Sequence, residues 1–222
     1  MLDYGYYHMD CMQGMKEFSD QYFDLAIVDP PYGIRVDVNG RKKSRSRIAE
    51  ARDYEPFEGN DEAPPDEAYF RELFRVSRNQ IIFGANHFIS KIPYDSPCWI
   101  VWDKDNGATD FADCELAWTS FRRSVKKYTY KWQGMLQQNM KNKEHRIHPT
   151  QKPVALYQWI LYTFTEPGDT ILDTHVGSAS SLIACRKTGH KFVGFEKSKY
   201  YYDLSLKRYR QETAQMQLID FL

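Results

Sequence analysis

A short apolar stretch that stops at two prolines sets the first limit on the fold. Residues 23–28 read Phe-Asp-Leu-Ala-Ile-Val and are followed directly by Asp-Pro-Pro-Tyr at 29–32. A strand buried on both faces of a parallel sheet has this apolar character. Proline ends a strand because it fixes φ and lacks an N–H donor, and the residue before each proline is held extended. The pattern therefore predicts a buried parallel strand that ends in a stiff corner.

Further apolar runs alternate with helical patterns along the rest of the chain. Strands are predicted at 80–84, 98–102, 115–119, 170–173 and 191–196. Helices are predicted from 64 to about 78, after 153, from about 176 to 187, and over 200–212. Segments 103–114 and 121–147 are predicted to be connections. This alternation predicts an α/β fold, with a mainly parallel sheet and helices on both of its faces.

Composition is that of a globular protein without a global attraction for nucleic acid. The 222 residues suit one domain, and 30 Lys+Arg balance 30 Asp+Glu. No run of about 18 apolar residues occurs, which argues against a membrane span. The four scattered cysteines form no C-x-x-C pair, which favours a reducing cytoplasm over a disulfide framework or a cysteine zinc site. We therefore expect a cytoplasmic protein that binds no metal.

The zero net charge hides segments of opposite sign. Residues 35–52 carry seven basic and two acidic residues, and residues 119–152 carry nine basic residues and one acidic residue. Between them, residues 53–72 carry eight acidic residues and one basic residue. Aromatic residues alternate with lysines over 126–132, which suits a strand edge facing a phosphate backbone or an unstacked base. The alternative is an ordinary solvated face.

The corner at 29–32 has the groups needed to recognise a planar amino group. The Asp29 carboxylate and the Pro30 carbonyl are both acceptors at the carboxyl end of a strand, where α/β sheets bind ligands. An amino group has two donors and fits that pair, and Tyr32 supplies a flat face for an aromatic ring. The alternative is a plain turn with a surface aspartate.

A ligand site is also predicted around the strand at 170–173. Gly177 lets the backbone approach a ligand closely, and the helix that follows begins with unpaired N–H groups. Glu196 has the spacing of an acid that binds a ribose diol, and Asp173 suits a ligand with a positive amino group. The absence of a G-x-G-x-x-G run argues against a dinucleotide. The alternatives are helix capping by Asp173 and tight packing at Gly177.

These motifs resemble the S-adenosylmethionine-dependent amino-methyltransferases that modify adenine N6 or cytosine N4 in DNA. Residues 29–32 resemble the catalytic motif, and their Asp form is similar to the adenine-N6 enzymes. Residues 170–178 resemble the cofactor motif. Residues 148–153 resemble the segment that lines the methionine end of the cofactor, and residues 8–11 resemble the strand near its adenine. The catalytic motif precedes the cofactor motif, which is the β-type permutation of a Rossmann-like methyltransferase fold.

The resemblance implies three sets of site residues. The catalytic residues are Asp29, Pro30, Pro31 and Tyr32. The cofactor, S-adenosyl-L-methionine, is bound by Asp10, Cys11, Asp29, His148, Lys152, Asp173, His175, Gly177, Ser178, Ser180 and Glu196. Double-stranded DNA is bound by Arg41, Lys42, Lys43, Lys126, Lys127, Lys131, Lys141, Lys143 and Arg146.

The resemblance also implies an organisation. Residues 1–222 form one methyltransferase domain, with a small target-recognition insertion at 103–147 and a mobile loop at 35–60. The small recognition region favours a homodimer, because one such subunit offers little surface to a duplex.

The implied function is site-specific transfer of a methyl group to N6 of a flipped-out adenine, as in restriction-modification. Cytosine N4 and an amino group on RNA are alternative acceptors. The other alternative is a catalytically decayed DNA-binding protein on the same fold. It is motivated by Thr174, His175, Ala179 and Ser180, which differ from the Pro-Phe and Gly-Thr that the family commonly carries.

Overall fold

A computed structural model describes residues 2–34, 63–107, 112–133 and 136–219. The described strands are β1 (Gly5–His8), β2 (Phe23–Val28), β3 (Ser77–Phe83), β4 (Trp99–Asp103), β5 (Cys114–Thr119), β6 (Lys126–Thr129), β7 (Trp132–Gln133), β8 (Leu136–Gln137), β9 (Thr170–Asp173) and β10 (Lys191–Glu196). The described α-helices are α1 (Cys11–Met15), α2 (Glu67–Val76), α3 (Val154–Phe164), α4 (Ser180–Thr188) and α5 (Lys199–Ile219).

Eight of these strands form one sheet in the order β1-β10-β9-β2-β3-β5-β4-β6, and β7 pairs with β8 separately. Neighbouring strands from β1 to β3 run parallel, as do β4 and β6. Strand β5 lies antiparallel between β3 and β4. The mainly parallel α/β fold predicted from the sequence is confirmed.

Helices cover both faces of the sheet, and the apolar side chains of β2 contribute to the core on each face. Leu25 and Ile27 belong to the core that includes residues of α3 and α4. Phe23 and Val28 belong to the core that includes residues of α1 and α2. Each fully buried side chain of this kind stabilises the fold by about 1.5–3 kcal/mol. Across the ranges that the structure describes, no helix is both long and apolar enough to cross a membrane.

The order of connections creates a crevice at the carboxyl ends of β2 and β9. From β2 the chain continues through α2 to β3 on one side, and from β9 it continues through α4 to β10 on the other. Such a reversal of strand order leaves room for a ligand between the two strands. Leu25 pairs with Ile171 and Ala26 with Leu172, which places the motifs at 29–32 and 170–178 side by side.

Several predicted helix boundaries differ from the structure: two helices begin later than predicted, at Glu67 and Ser180. Helix α2 ends at Val76, two residues earlier than predicted, because Ser77 is extended and pairs with Phe23 of β2. The side chain of Asp66 caps the start of α2 by accepting from the Tyr69 N–H. The last helix continues past 212 to Ile219.

The prediction that 121–147 is connection rather than core was wrong for 126–133. Strand β6 joins the sheet beside β4. Tyr128 stacks on Trp159, with ring centroids 4.9 Å apart, and on Tyr130. Trp132 is buried and donates its indole N–H to the Gln151 carbonyl at 2.8 Å. Trp132 is therefore part of the core, and Tyr128 and Tyr130 pack partly against the body of the protein.

Candidate active site

The corner at 29–32 leaves the sheet at the end of β2, and its side chains hold one another. The Tyr32 hydroxyl donates a 2.6 Å hydrogen bond to Asp29 Oδ1, and the Lys152 ammonium pairs with Asp29 Oδ2. Burial, with the Asp29 charge, raises the pKa of Tyr32 well above its usual value, so the hydroxyl stays protonated and remains a donor. A carboxylate has about four lone-pair positions, so Asp29 keeps acceptor positions for a ligand.

The ring of Tyr32 lies against the segment that follows β3. A Cβ at Gly84 would lie 2.1 Å from the Tyr32 ring, and the Gly84 φ of +65° is one that glycine adopts readily. The imidazole of His87 stacks on the Tyr32 ring, with an interplanar angle of 16° and centroids 5.1 Å apart. Gly84 and His87 therefore fix the position of the Tyr32 ring.

Lys152 contacts the Asp29 carboxylate, although its segment was predicted to line the methionine end of the cofactor. Its ammonium also lies 3.2 Å from Glu115 Oε2, and Glu115 Oε1 is paired with Lys104 at 2.5 Å. Ser180 at the start of α4 donates its hydroxyl to the Lys152 carbonyl at 2.7 Å. Lys152 thus connects the corner at 29–32 with the turn that follows β9.

Asp173 is a buried acid at the end of β9. Its oxygens accept from the Ser181 hydroxyl at 2.5 Å and from the His175 N–H at 3.0 Å. Burial raises the pKa of Asp173 to about 7, because these hydrogen bonds offset only part of the cost of a buried charge. Near neutral pH this carboxyl is poised to ionise beside a cation.

The turn between β9 and α4 contains two residues with the left-handed backbone that glycine favours. Gly177 has φ +54° and Ala179 has φ +63°, so Ala179 adopts a left-handed backbone at a cost of about 1–2 kcal/mol. The alanine that stands where the family commonly carries glycine therefore adopts the same kind of backbone in this turn. Arg208 donates to the Ser178 carbonyl at 2.7 Å and to the Ser180 hydroxyl at 2.9 Å, which ties the turn to α5.

Two histidines border this turn and stay neutral: His148 is buried and His175 is partly buried. Burial lowers the pKa of His148 to about 3 and that of His175 to about 4. His148 packs edge-on against Tyr201 and lies beside Gly177. Neither imidazole would repel a cationic ligand at neutral pH.

The predicted ribose acid and the residues of the N-terminal strand lie at the same edge. Glu196 accepts from the Gly177 N–H at 2.9 Å and from the Ser198 N–H at 2.8 Å. Asp10 caps α1 by accepting from the Met12 N–H at 2.9 Å. A pocket of about 270 Å³ opens beside the corner and has the following lining residues: Cys11, Met12, Pro31, Ala63, Pro65, Asp66, Tyr69 and His175. The structure therefore brings Cys11, the corner and the β9–α4 turn together around one pocket.

The lysines predicted to contact DNA differ in their surroundings. Lys127 pairs with Asp103 at 2.8 Å, and Lys131 pairs with Asp105 at 3.0 Å. Arg146 donates to the Pro149 carbonyl at 2.8 Å. Lys126 is partly buried, and Lys141 and Lys143 are exposed. Arg41, Lys42 and Lys43, together with the predicted loop at 35–60, lie outside the described residues.

Several residues of the site were not singled out from the sequence: Lys104, Glu115, Gly84, His87, Tyr69 and Arg208. Glu115 had a usable signal, because it stands in the strand at 115–119, which is otherwise apolar, and a charge there needs a partner. The sequence carried no signal for the position of His87, because its contact with Tyr32 depends on how two separate strand ends meet.

Comparison with known proteins identifies relatives of the whole fold. The N6/N4 methyltransferase family model, described as DNA methylase, matches residues 115–207. The Type II methyltransferase M.HinfI of Haemophilus influenzae is 23% identical over 91% of this chain and 67% of that protein. The crystal structure of the M1.HpyAVI–SAM complex shares 24% identity, with a TM-score of 0.56, over 91% of this chain and 98% of the other. The cytosine-N4-specific PvuII DNA methyltransferase shares 12% identity, with a TM-score of 0.58, over 96% and 92% of the two chains.

The solved structures have the same architecture as this chain. The family model and the curated relative are similar to it in sequence. Both motifs that carry the resemblance stand at the carboxyl ends of the neighbouring strands β2 and β9. Over residues 115–207 the chain is similar to the N6/N4 DNA methylases, the family that its motifs resemble.

Proposed function

We propose that this chain transfers a methyl group from S-adenosyl-L-methionine to N6 of an adenine in double-stranded DNA. The observation that carries the proposal is the corner at 29–32, where the Asp29 carboxylate is hydrogen-bonded to the Tyr32 hydroxyl at the end of β2. Asp29, in place of the serine that the cytosine-N4 enzymes more often carry, favours adenine as the acceptor.

The residues at the carboxyl ends of β9 and β10, together with the pocket beside the corner, fit S-adenosylmethionine. Asp173 and Glu196 offer carboxylates to its positive amino group and its ribose hydroxyls, and the neutral His148 and His175 add no repulsion. Cys11 lines the pocket beside Pro31 of the corner. When bound, the cofactor supplies an electrophilic methyl group on a positively charged sulfur.

The corner would act on the amino group by accepting hydrogen bonds. The N6 lone pair is delocalised into the adenine ring, and bonds from N6–H₂ to Asp29 and to the Pro30 carbonyl favour a more tetrahedral nitrogen. As the nitrogen–carbon bond forms and the carbon–sulfur bond breaks, the electron pair goes to sulfur and positive charge grows on nitrogen. The preorganised carboxylate stabilises this charge. The extra proton leaves nitrogen after transfer, so no strongly perturbed general base is needed.

The target base must leave the duplex to reach this corner. An amino nitrogen inside a base stack is out of reach, so the base is flipped and stacks on Tyr32. The bonds to Asp29 and Pro30 then hold the nitrogen in line with the methyl group, which is a proximity effect.

Cytosine N4 is the second candidate acceptor, favoured by the fold shared with the PvuII enzyme. Analysis of the product separates the two. DNA of mixed sequence is incubated with the protein and S-adenosylmethionine, digested to nucleosides and analysed by mass spectrometry. We expect N6-methyldeoxyadenosine. N4-methyldeoxycytidine as the sole product would overturn the adenine assignment, and absence of both would overturn the proposed reaction.

Cofactor binding should become tighter as pH rises through 7. The pKa of Asp173 is raised to about 7 by burial, so at pH 6 the free carboxyl is mostly protonated and a cationic ligand must displace the proton. Between pH 6 and pH 7.5 we expect the affinity to rise about five- to tenfold. Calorimetry in two buffers with different ionisation enthalpies measures both the affinity and the released proton. Asp173→Asn should flatten the profile, and a flat profile in the wild type would contradict this role.

Binding of DNA should depend on the exposed lysines of the 119–147 segment. Lys141 and Lys143 are exposed, and each phosphate that a lysine neutralises contributes about 0.9 to the salt slope. The double substitution to glutamine should reduce the slope of log affinity against log salt by about 2. Fluorescence anisotropy on a labelled duplex measures it, with the exposed Lys207→Gln as the matched control. Equal slopes for all three proteins would argue against this surface.

A further inference from the structure

Four charged side chains form a continuous chain that ends at the catalytic carboxylate. Lys104 pairs with Glu115 Oε1 at 2.5 Å. Glu115 Oε2 lies 3.2 Å from the Lys152 ammonium, and Lys152 pairs with Asp29 Oδ2. We call Lys104, Glu115, Lys152 and Asp29 the charge chain. Its members come from the ends of β4 and β2, from β5, and from the segment before α3, so only the folded protein assembles it.

The Lys152 ammonium depends on its partners because it is removed from water. Its side chain is 3% exposed, and its Nζ lies 4.7 Å from the centre of the Phe83 ring. Burial alone would lower the pKa of Lys152, yet the facing carboxylates of Asp29 and Glu115 raise it. Burial would likewise raise the pKa of Glu115, and the facing ammonium groups of Lys152 and Lys104 lower it instead. Each ionised form is therefore maintained by its neighbours.

The geometry points to Glu115 as a positioning residue for Asp29, acting through Lys152. With one carboxylate on either side, the ammonium is shared between them and held at one place. Asp29 then keeps acceptor capacity for the amino group of the target base. Without the Glu115 charge, the ammonium would rely on Asp29 alone and on the Tyr32 hydroxyl, which lies 3.4 Å from it. This inference rests on the proposed methyl transfer.

Glu115 and Lys104 also lie in the 103–147 segment that was predicted to recognise the target. The charge chain thus makes a physical connection between that segment and the catalytic corner. Glu115 does not itself touch the base or the cofactor under this proposal, which distinguishes it from a catalytic residue.

The test compares Glu115→Gln with Glu72→Gln in the full chain. Glu72 is a suited control, because it is also ion-paired, with Arg75, and its side chain is 21% exposed against 25% for Glu115. Transfer of a tritiated methyl group to any DNA base is measured, so the result does not depend on adenine or cytosine being the target. We expect Glu115→Gln to lower kcat on the order of tenfold to a hundredfold, with unchanged KM for S-adenosylmethionine and for DNA. Glu115→Asp should recover part of kcat, and Glu72→Gln should keep the wild-type kcat.

Three outcomes would overturn the inference: an unchanged kcat for Glu115→Gln, an equal loss for Glu72→Gln, or a loss confined to KM. If the wild type transfers no methyl group, the proposed function fails and crystal structures of the two variants decide the positioning role. Displacement of the Lys152 ammonium from Asp29 in Glu115→Gln alone would support it, and an unmoved ammonium would overturn it.

Discussion

Asp29→Asn should lower the rate of methyl transfer by about 10²–10³ while the affinity for S-adenosylmethionine stays within about threefold. The amide keeps the shape of the side chain and removes the charge that stabilises the developing cation on nitrogen. The loss corresponds to about 2.7–4 kcal/mol of transition-state stabilisation. Single-turnover assays with tritiated cofactor measure the rate, and calorimetry measures the affinity.

The control for this substitution is Asp203→Asn in α5. Asp203 is also ion-paired, with Lys199, but it is 57% exposed and lies far along the chain from the corner. It should retain the wild-type rate. A rate for Asp29→Asn close to that of the wild type would remove the basis for placing the chemistry at this carboxylate.

Gly84→Ala should disable the site by displacing Tyr32. The added Cβ would lie 2.1 Å from the ring, so the ring must move away from its place beside Asp29. Overpacking of this kind costs about 1–3 kcal/mol, and the left-handed φ of +65° adds about 1–2 kcal/mol. We expect a hundredfold loss of kcat, on the order of the cost of a 1 Å misplacement, with lower thermal stability.

Gly189→Ala separates the displacement of the Tyr32 ring from the strain of a left-handed backbone. Gly189 also has a left-handed backbone, at φ +75°, but a Cβ there meets no atom within 4 Å. This variant should lose comparable backbone stability and keep its activity. If both variants lost activity equally, or if Gly84→Ala kept it, the ring of Tyr32 would have no special part in the reaction.

The sequence predicted the layered α/β fold because its signals were local. The apolar run at 23–28, the prolines after it and the glycine after α4 each determine structure within a few residues. The same locality explains the misplaced end of α2: Ser77 leaves the helix to pair with Phe23, a partner 54 positions away. Local patterns carry no information about such a partner.

The motifs of the candidate site were predictable from the sequence, but the contacts between residues of distant segments were not. Asp29 and Asp173 were identified because Asp29 directly follows an apolar strand and Asp173 ends one. The position of Lys152 against Asp29, and that of Glu115 against Lys152, depend on how three distant segments meet. Alternating lysines and aromatics at 126–132 do not say which face meets a helix, so the packing of Tyr128 on Trp159 was not predictable. The DNA-facing role of this segment stays a prediction.

The seam between β2 and β9 has a consequence for how the protein folds. Across it, the Thr170 N–H donates to Asp24 Oδ2 at 2.9 Å, and these residues are 146 positions apart. Closing so long a loop has an entropy cost that local helices and turns avoid, and folds dominated by such contacts fold slowly. The crevice that holds the corner and the cofactor turn is formed by this pairing, so neither half can acquire a complete site by folding early. The capacity for chemistry should therefore appear late in folding, after the helices have formed.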